Sequence, residues 1–141
     1  MARRKSQTSV EFIIVAALLF SILLVIAAAN FDVLASGTEK IRMTKARHAV
    51  DELAKQAELV YQEGQGAKTK VYVNLPESIS GTSVGNRIFT INLSASGGIT
   101  SITRSLDFNV SGTIPTESGS YWLEVESYGR YVNISNINTT G

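Results

Sequence analysis

An uninterrupted apolar segment constrains this chain more than any other feature. Residues 12–31 read FIIVAALLFSILLVIAAANF, twenty positions without a charged side chain between Glu11 and Asp32. An α-helix of that length covers about 30 Å, the thickness of the hydrocarbon core of a bilayer. The segment therefore predicts a membrane-spanning helix.

A second interpretation of the segment is an ordinary secretory signal that is removed after export. The apolar core of such a signal is about 7 to 15 residues long and ends in small residues, which the alanines at 27–29 would supply. Charge alone does not decide the orientation, because basic side chains lie on both sides of the segment. They are Arg3, Arg4 and Lys5 before it and Lys40, Arg42, Lys45 and Arg47 after it.

Composition narrows the classes of function. A chain of 141 residues has room for an anchor segment and one compact domain. Its 13 basic and 12 acidic side chains nearly balance, which argues against nucleic acid as a partner. Cysteine is absent and His48 is the only histidine, so we expect no metal site. The sequence has no nucleophile elbow, phosphate loop or zinc motif, and we expect neither an enzyme nor a cofactor.

A short motif precedes the apolar segment. A basic run at 3–5 is followed by the small residue Ser6 and then by Gln-Thr-Ser-Val-Glu-Phe at 7–12. This stretch resembles the class III signal peptide of archaeal type IV pilin-like proteins, in which a basic leader and a small residue precede Gln-x-Ser-x-Glu-Phe. Every element of that pattern is matched, and the resemblance covers residues 1 to about 31.

The resemblance implies a processing step and a set of partners. A membrane-embedded prepilin peptidase would cleave between Ser6 and Gln7, and the apolar helix would remain in the mature chain. The implied recognition residues are Gln7, Ser9, Glu11 and Phe12. The precursor would lie in the cell membrane, and assembly machinery would then join copies of the chain into an extracellular filament for surface adhesion or cell-cell contact.

Glu11 and Phe12 are the residues that the resemblance assigns to assembly. In the family the carboxylate docks on the α-amine of a neighbouring subunit, which here would be that of Gln7. A carboxylate at an apolar boundary is costly unless it is paired or hydrated. Glu11 could instead mark the membrane edge or complement the dipole of its own helix. Cyclisation of an N-terminal glutamine would remove the positive charge altogether.

The helical pattern continues beyond the apolar segment. Apolar residues recur at alternating spacings of four and three, which is typical of one face of a helix. This stripe consists of Ala46, Val50, Leu53, Ala57 and Val60. Gly64-Gln-Gly66 supplies a stop, so we predict a helix of about 50 residues. The predicted organisation is a leader at 1–6, a transmembrane or filament-core helix at 7–36, its amphipathic continuation at 37–64 and a β-rich extracellular head at 67–141.

From residue 69 onward, the pattern changes to alternation of apolar and polar residues, which predicts half-buried strands. We expect four to six antiparallel strands whose apolar face packs on the helix stripe. The expected fold is α+β, a long hydrophobic N-terminal helix packed on a small antiparallel sheet or barrel-like head, the lollipop arrangement of type IV pilins. The alternating stretches are 71–75, 89–93, 106–110 and 121–125, with a further strand at 130–134 after a turn at Tyr128-Gly129.

Charged residues along the predicted helix separate into two bands. Four basic side chains come first, and four acidic ones, Asp51, Glu52, Glu58 and Glu63, follow. The bands are either a solvated surface or the two sides of a contact between adjacent filament subunits. Trp122 lies on the opposite phase from Leu123, so it either packs locally or is an exposed adhesive aromatic.

Four Asn-x-Ser/Thr sequences occur in the β-rich half, at Asn92, Asn109, Asn133 and Asn138. The first three lie between inward-facing apolar residues, so their amides face outward, where a glycan could fit. About two such sequences would arise by chance in a region so rich in serine and threonine. We expect at least one of the four to be glycosylated.

The sequence leaves several functions open within this picture. A minor or tip subunit would carry the same motif as the major pilin. An archaellin is a further alternative, although the Glu-Phe ending of the motif and the short head resemble an adhesive pilin more closely. A different class is a monomeric, single-pass anchor that presents a binding head, for which the head offers no ligand motif.

Overall fold

The computed structural model describes residues 2–137, and its α+β architecture confirms the predicted fold class. One long helix precedes seven strands. Asn138, which carries the fourth sequon, lies outside the described residues. The elements are α1 (Ala2–Glu63), β1 (Lys68–Leu75), β2 (Ile79–Gly85), β3 (Ile88–Ala95), β4 (Gly98–Ser105), β5 (Asn109–Gly112), β6 (Gly119–Ser127) and β7 (Tyr131–Asn136).

The chain divides into two compact units. The first covers Met1–Thr38, and the second covers Glu39–Gly141. The second unit contains the C-terminal part of α1 together with all seven strands. It therefore holds the hydrophobic core.

Helix α1 ends at the glycine that the sequence predicts as its stop. Gly64 has a φ of 98°, a conformation that costs a glycine little because it has no Cβ. Its amide donates to the carbonyl oxygen of Val60 at 3.2 Å, which satisfies one of the carbonyls left over at the helix end. The chain then turns into β1.

The predicted apolar stripe of α1 is confirmed as the helical side of the core. Its five members are buried, and Ala49 and Ala54 widen it. The stripe belongs to one continuous cluster with the inward-facing residues of the strands. The alternating residues predicted to face inward on those strands are buried as well, among them Val71, Phe89 and Leu123.

The strands form two sheets, with orders β1-β6-β7-β5 and β2-β3-β4. All neighbouring pairs are antiparallel except β5 and β7, which run parallel. The sequence predicts four to six antiparallel strands, so the observed seven and the single parallel pair depart from it. Contacts between β2 and β5 connect the two sheets, and the Thr82 hydroxyl donates to the carbonyl oxygen of Ile114 at 2.8 Å.

The two unpredicted strands, β2 and β4, lack a clear alternation of apolar and polar residues. Strand β2 reads ISGTSVG and β4 reads GITSITRS. Both flank β3, and neither has a fully buried side chain, since β2 is mostly partly buried and β4 is largely exposed. Burial therefore does not impose an alternating pattern on them. The turn between β2 and β3 has positive φ at Asn86 and Arg87, the conformation of a type I′ hairpin. Because arginine is an unusual residue for that turn, the sequence only weakly indicates a hairpin here.

Gly112 is required where the parallel pair forms. Its φ is 111°, and a β-carbon at this position would overlap the backbone carbonyl oxygen of Ile134. The amide of Thr113 donates to that same oxygen at 3.1 Å. Any side chain here would therefore push β5 away from β7 and lengthen this bond.

We predict that a chain beginning at Ser36 folds without the apolar segment. It retains the whole second unit, and the stripe of α1 still covers the core. Light scattering should report a soluble monomer, and circular dichroism should report mainly strand. In this chain, Leu53→Ala should reduce the free energy of unfolding by about 2 to 5 kcal/mol, whereas the exposed Lys55→Ala should change it by less than about 0.5 kcal/mol.

An unfolded chain would contradict this prediction, because it would mean that the second unit depends on the first 35 residues. Equal effects of Leu53→Ala and Lys55→Ala would contradict the packing role of the stripe.

Candidate functional site

The residues of the N-terminal motif lie within the first turns of α1. Gln7, Ser9, Glu11 and Phe12 are all exposed. The hydroxyl of Ser9 donates to the backbone carbonyl oxygen of Lys5 at 3.1 Å, a bond within the helix. The motif therefore presents its side chains outward on one helix, available to a peptidase or to another chain.

Glu11 has no salt-bridge partner within 4 Å in the described part of the chain. It is four residues from Gln7, which places the two on one face of the helix about 6 Å apart along its axis. Cleavage before Gln7 would create an α-amine at that position. Two such helices side by side, shifted by about one turn, would bring the carboxylate of one level with the amine of the other.

An apolar surface follows Glu11 without a break. The large apolar side chains from Phe12 to Phe31 are at least half exposed, and that of Phe12 is 74% exposed. Among the described residues, α1 is the one helix long and apolar enough to cross a membrane. Leaving such side chains in water costs on the order of 1 kcal/mol each, or more than ten kcal/mol for the whole segment. This surface is therefore better suited to contact with lipid or with other protein than to contact with water.

The polar side chains inside the apolar segment satisfy hydrogen bonds within the helix. The Ser21 hydroxyl donates to the carbonyl oxygen of Ala17 at 2.8 Å, and the Asn30 amide donates to that of Ile26 at 2.8 Å. Hydrocarbon offers no hydrogen-bond partners, so a polar group there needs an internal one. These bonds suit a lipid environment.

Glu39, the first residue of the second unit, binds the turn between β3 and β4. Its carboxylate accepts hydrogen bonds from the backbone amide of Ser96 at 3.0 Å and from the Ser96 hydroxyl at 2.8 Å. These bonds, the backbone one first, hold the pKa of Glu39 below its usual value. The contact is therefore fully formed at neutral pH, and protonation weakens it only as the pH falls below the ordinary range of a carboxyl. The sequence carries no signal for this pairing.

Two ion pairs connect the charged bands of α1 to the strands and their loops. Arg42 lies 3.4 Å from Glu77, and Asp51 lies 3.7 Å from Arg104 on β4. Both pairs are largely exposed, so each contributes little stability. His48 is exposed on the same helix, and the described residues contain no group of three side chains suited to hold a metal.

An aromatic pair is exposed on the outer face of the four-stranded sheet. Tyr72 on β1 lies directly opposite Trp122 on β6, and their rings are tilted with centroids 5.2 Å apart. Tyr72 is 54% exposed and Trp122 is 48% exposed. Trp122 therefore packs against a neighbour, as one of its sequence interpretations has it, and it also presents an open face. Its adhesive role stays a prediction. The alternating pattern indicates that Tyr72 and Trp122 both face outward on their strands. It does not indicate that the two strands pair.

The described sequons differ in how open they are. Asn92 and Asn133 are partly buried on outward positions of β3 and β7. Their amide oxygens accept hydrogen bonds from the hydroxyls of Ser101 at 2.7 Å and Ser111 at 3.1 Å. Asn109, at the start of β5, is exposed. Of these three positions, Asn109 offers a glycan the most room.

Comparison of the chain with protein-family models, with curated proteins and with solved structures finds no match. Its function must therefore be inferred from the N-terminal motif and from the surfaces described above.

Proposed function

We propose that this chain is the precursor and structural subunit of an archaeal type IV pilus, held in the membrane by its apolar segment until it is assembled. The observation that supports this most directly is the exposed apolar surface between Phe12 and Phe31 directly after a peptidase-type motif. A bilayer covers that surface in the precursor, and neighbouring copies cover it in the filament.

Small residues in the segment suit close contact between copies. Ala16, Ala17 and the alanines at 27–29 allow the backbones of neighbouring helices to approach each other. Contacts that join different faces of successive copies do not close, and such contacts produce an open helical filament. The same helix then serves first as an anchor and later as a filament core.

The first prediction from this proposal is that the mature chain begins at Gln7. The leader matches the peptidase motif, and assembly needs the apolar helix that follows. N-terminal mass spectrometry of the processed chain should detect Gln7, free or cyclised, and the same spectra report any glycan mass on the sequons. Mature chains that begin near Asn30 would instead establish a removed secretory signal and would contradict the proposal.

The second prediction is that Glu11→Ala allows insertion and cleavage but sharply lowers filament yield. Removing one member of a buried ion pair costs about 3 to 5 kcal/mol, because the other charge stays desolvated. If Glu11 only complements its own helix dipole, the cost is nearer ~0.3 to 1 kcal/mol and assembly persists. The measurement compares the amount of processed chain in membranes with the amount of chain in sheared filaments.

Glu117→Ala is the matched control, because it removes an exposed carboxylate outside the helix. Normal filament yield from correctly cleaved Glu11→Ala protein would exclude the docking role.

The exposed aromatic pair supports a role in adhesion. Tyr72 and Trp122 present their rings on the outer face of the sheet, and tyrosine and tryptophan are enriched at interfaces. We predict that Tyr72→Ala with Trp122→Ala leaves filament yield unchanged but lowers cell attachment several-fold. Ile99→Ala, which removes another well-exposed apolar side chain on β4, is the control. Unchanged attachment by the double variant would remove the pair from this role.

A monomeric membrane-anchored binding protein is the alternative, because an isolated anchor would have the same exposed apolar segment. Electron microscopy of sheared surface material with peptide identification distinguishes the two. Filaments that contain this chain as the main component support a major pilin, and a trace amount supports a minor or tip subunit.

A further inference from the structure

Two stretches of α1 repeat one surface pattern with opposite charge. The basic segment, residues 40–45, reads Lys-Ile-Arg-Met-Thr-Lys, and the acidic segment, residues 58–63, reads Glu-Leu-Val-Tyr-Gln-Glu. Each has a charge at its first and sixth positions, an apolar residue at the second and an uncharged polar residue at the fifth. The two segments are 18 residues apart, which is five turns of an α-helix. Equivalent positions therefore face the same direction.

The exposure of these residues confirms that equivalent positions of the two segments face the same direction. The first, second, fifth and sixth positions of both segments are exposed, with Ile41 59% and Leu59 44% exposed. The third and fourth positions contact the rest of the second unit. Of these, Arg42 pairs with Glu77, Met43 packs against the core, Val60 is buried and Tyr61 stacks on Phe108.

The exposed charges at the first and sixth positions of the two segments form no ion pair with any described residue. In the part of the chain that the structure describes, no ion pair within 4 Å involves Lys40, Lys45, Glu58 or Glu63. Two other charged residues of α1, Arg42 and Asp51, do pair with the strands and their loops. The four unused charges are therefore available to another molecule.

We infer that the basic segment of one copy binds the acidic segment of a second copy that is parallel and shifted by 18 residues, about 27 Å along the helix axis. This inference rests on the proposed filament. The shift brings Lys40 level with Glu58 and Lys45 level with Glu63. It also brings Ile41 level with Leu59 and Thr44 level with Gln62, so that charge, apolar and polar positions all correspond.

An antiparallel pair of these helices also brings opposite charges together, but it matches the remaining positions poorly. Ile41 would then face Gln62, and Thr44 would face Leu59. The parallel shift is also heterologous, because each copy uses its basic segment toward one neighbour and its acidic segment toward another. Such a contact repeats without closing, as a filament requires.

Charge reversal tests the contact in the full chain, expressed in an archaeal host that supplies the peptidase and the assembly machinery. Lys40→Glu with Lys45→Glu should lower filament yield about tenfold, because like charges then face each other. Adding Glu58→Lys and Glu63→Lys should restore the yield to within about twofold. The matched control is Lys68→Glu with Lys70→Glu, which changes net charge equally on exposed positions of β1 and should leave assembly unchanged. Failure of the fourfold variant to recover would contradict the pairing.

Disulfide trapping tests the shift itself, because the chain has no cysteine of its own. Thr44→Cys with Gln62→Cys places two thiols about 27 Å apart in one helix, whereas a disulfide needs Cα atoms within about 7 Å. Any disulfide therefore joins two copies. Oxidised filaments of this variant should give a ladder of multimers on a denaturing gel, and each single variant should give none.

The control for register is Thr44→Cys with Lys55→Cys. These two positions lie on nearly the same face of the helix, but a disulfide joins them between copies only at a shift of about 16 Å. A ladder from this pair instead would overturn the 18-residue register. Dimers without a ladder would establish the antiparallel arrangement and overturn the parallel one. Normal filaments with no disulfide overturn the interface while the proposed function stands, whereas absence of filaments from the unmodified chain contradicts the proposed function itself.

Discussion

Burial of one stripe of α1 among the inward residues of two sheets is the interaction on which the second unit depends. The strands form a sheet of four and a sheet of three, and neither is large enough to bury a core alone. Leu53, Ala57 and Val60 share one cluster with residues of both sheets, such as Phe89 and Val125. Without the helix, these inward faces would be open to water.

The same helix carries a second, entirely different surface. Between Phe12 and Phe31 its large apolar side chains are open on every side, whereas between Ala46 and Val60 the apolar stripe is covered and Leu59 is the one large apolar side chain left exposed. A stripe indicates packing inside a domain, and an apolar surface all round indicates lipid or a bundle of identical helices. This contrast supports the proposed function, in which one helix would serve both the domain and the assembly.

Most of the second unit could be predicted from the sequence, because burial of one face makes apolar residues recur at regular spacings. The helix stripe repeats with a period of 3.6 and the inward residues of β1, β3 and β6 with a period of 2. The helix stop is marked by a glycine, Gly64. Strands β2 and β4 show no such periodicity, since they are the edge strands of a small sheet and neither has a fully buried side chain. The parallel pairing of β5 with β7 was also hidden, because pairing partners depend on chain path and not on local pattern.

The sequence by itself determined the apolar segment, the motif before it and the change from helical to strand periodicity, because each is a local property of neighbouring residues. Only the tertiary structure decided which residues distant in the sequence meet. It brought Glu39 to the turn at Ser96, Tyr72 beside Trp122, and Arg42 to Glu77. Among residues 2–137 it left Lys40 and Lys45 without an ion pair within 4 Å. Contacts of this kind depend on strand order and register, and these are set by packing of the whole unit.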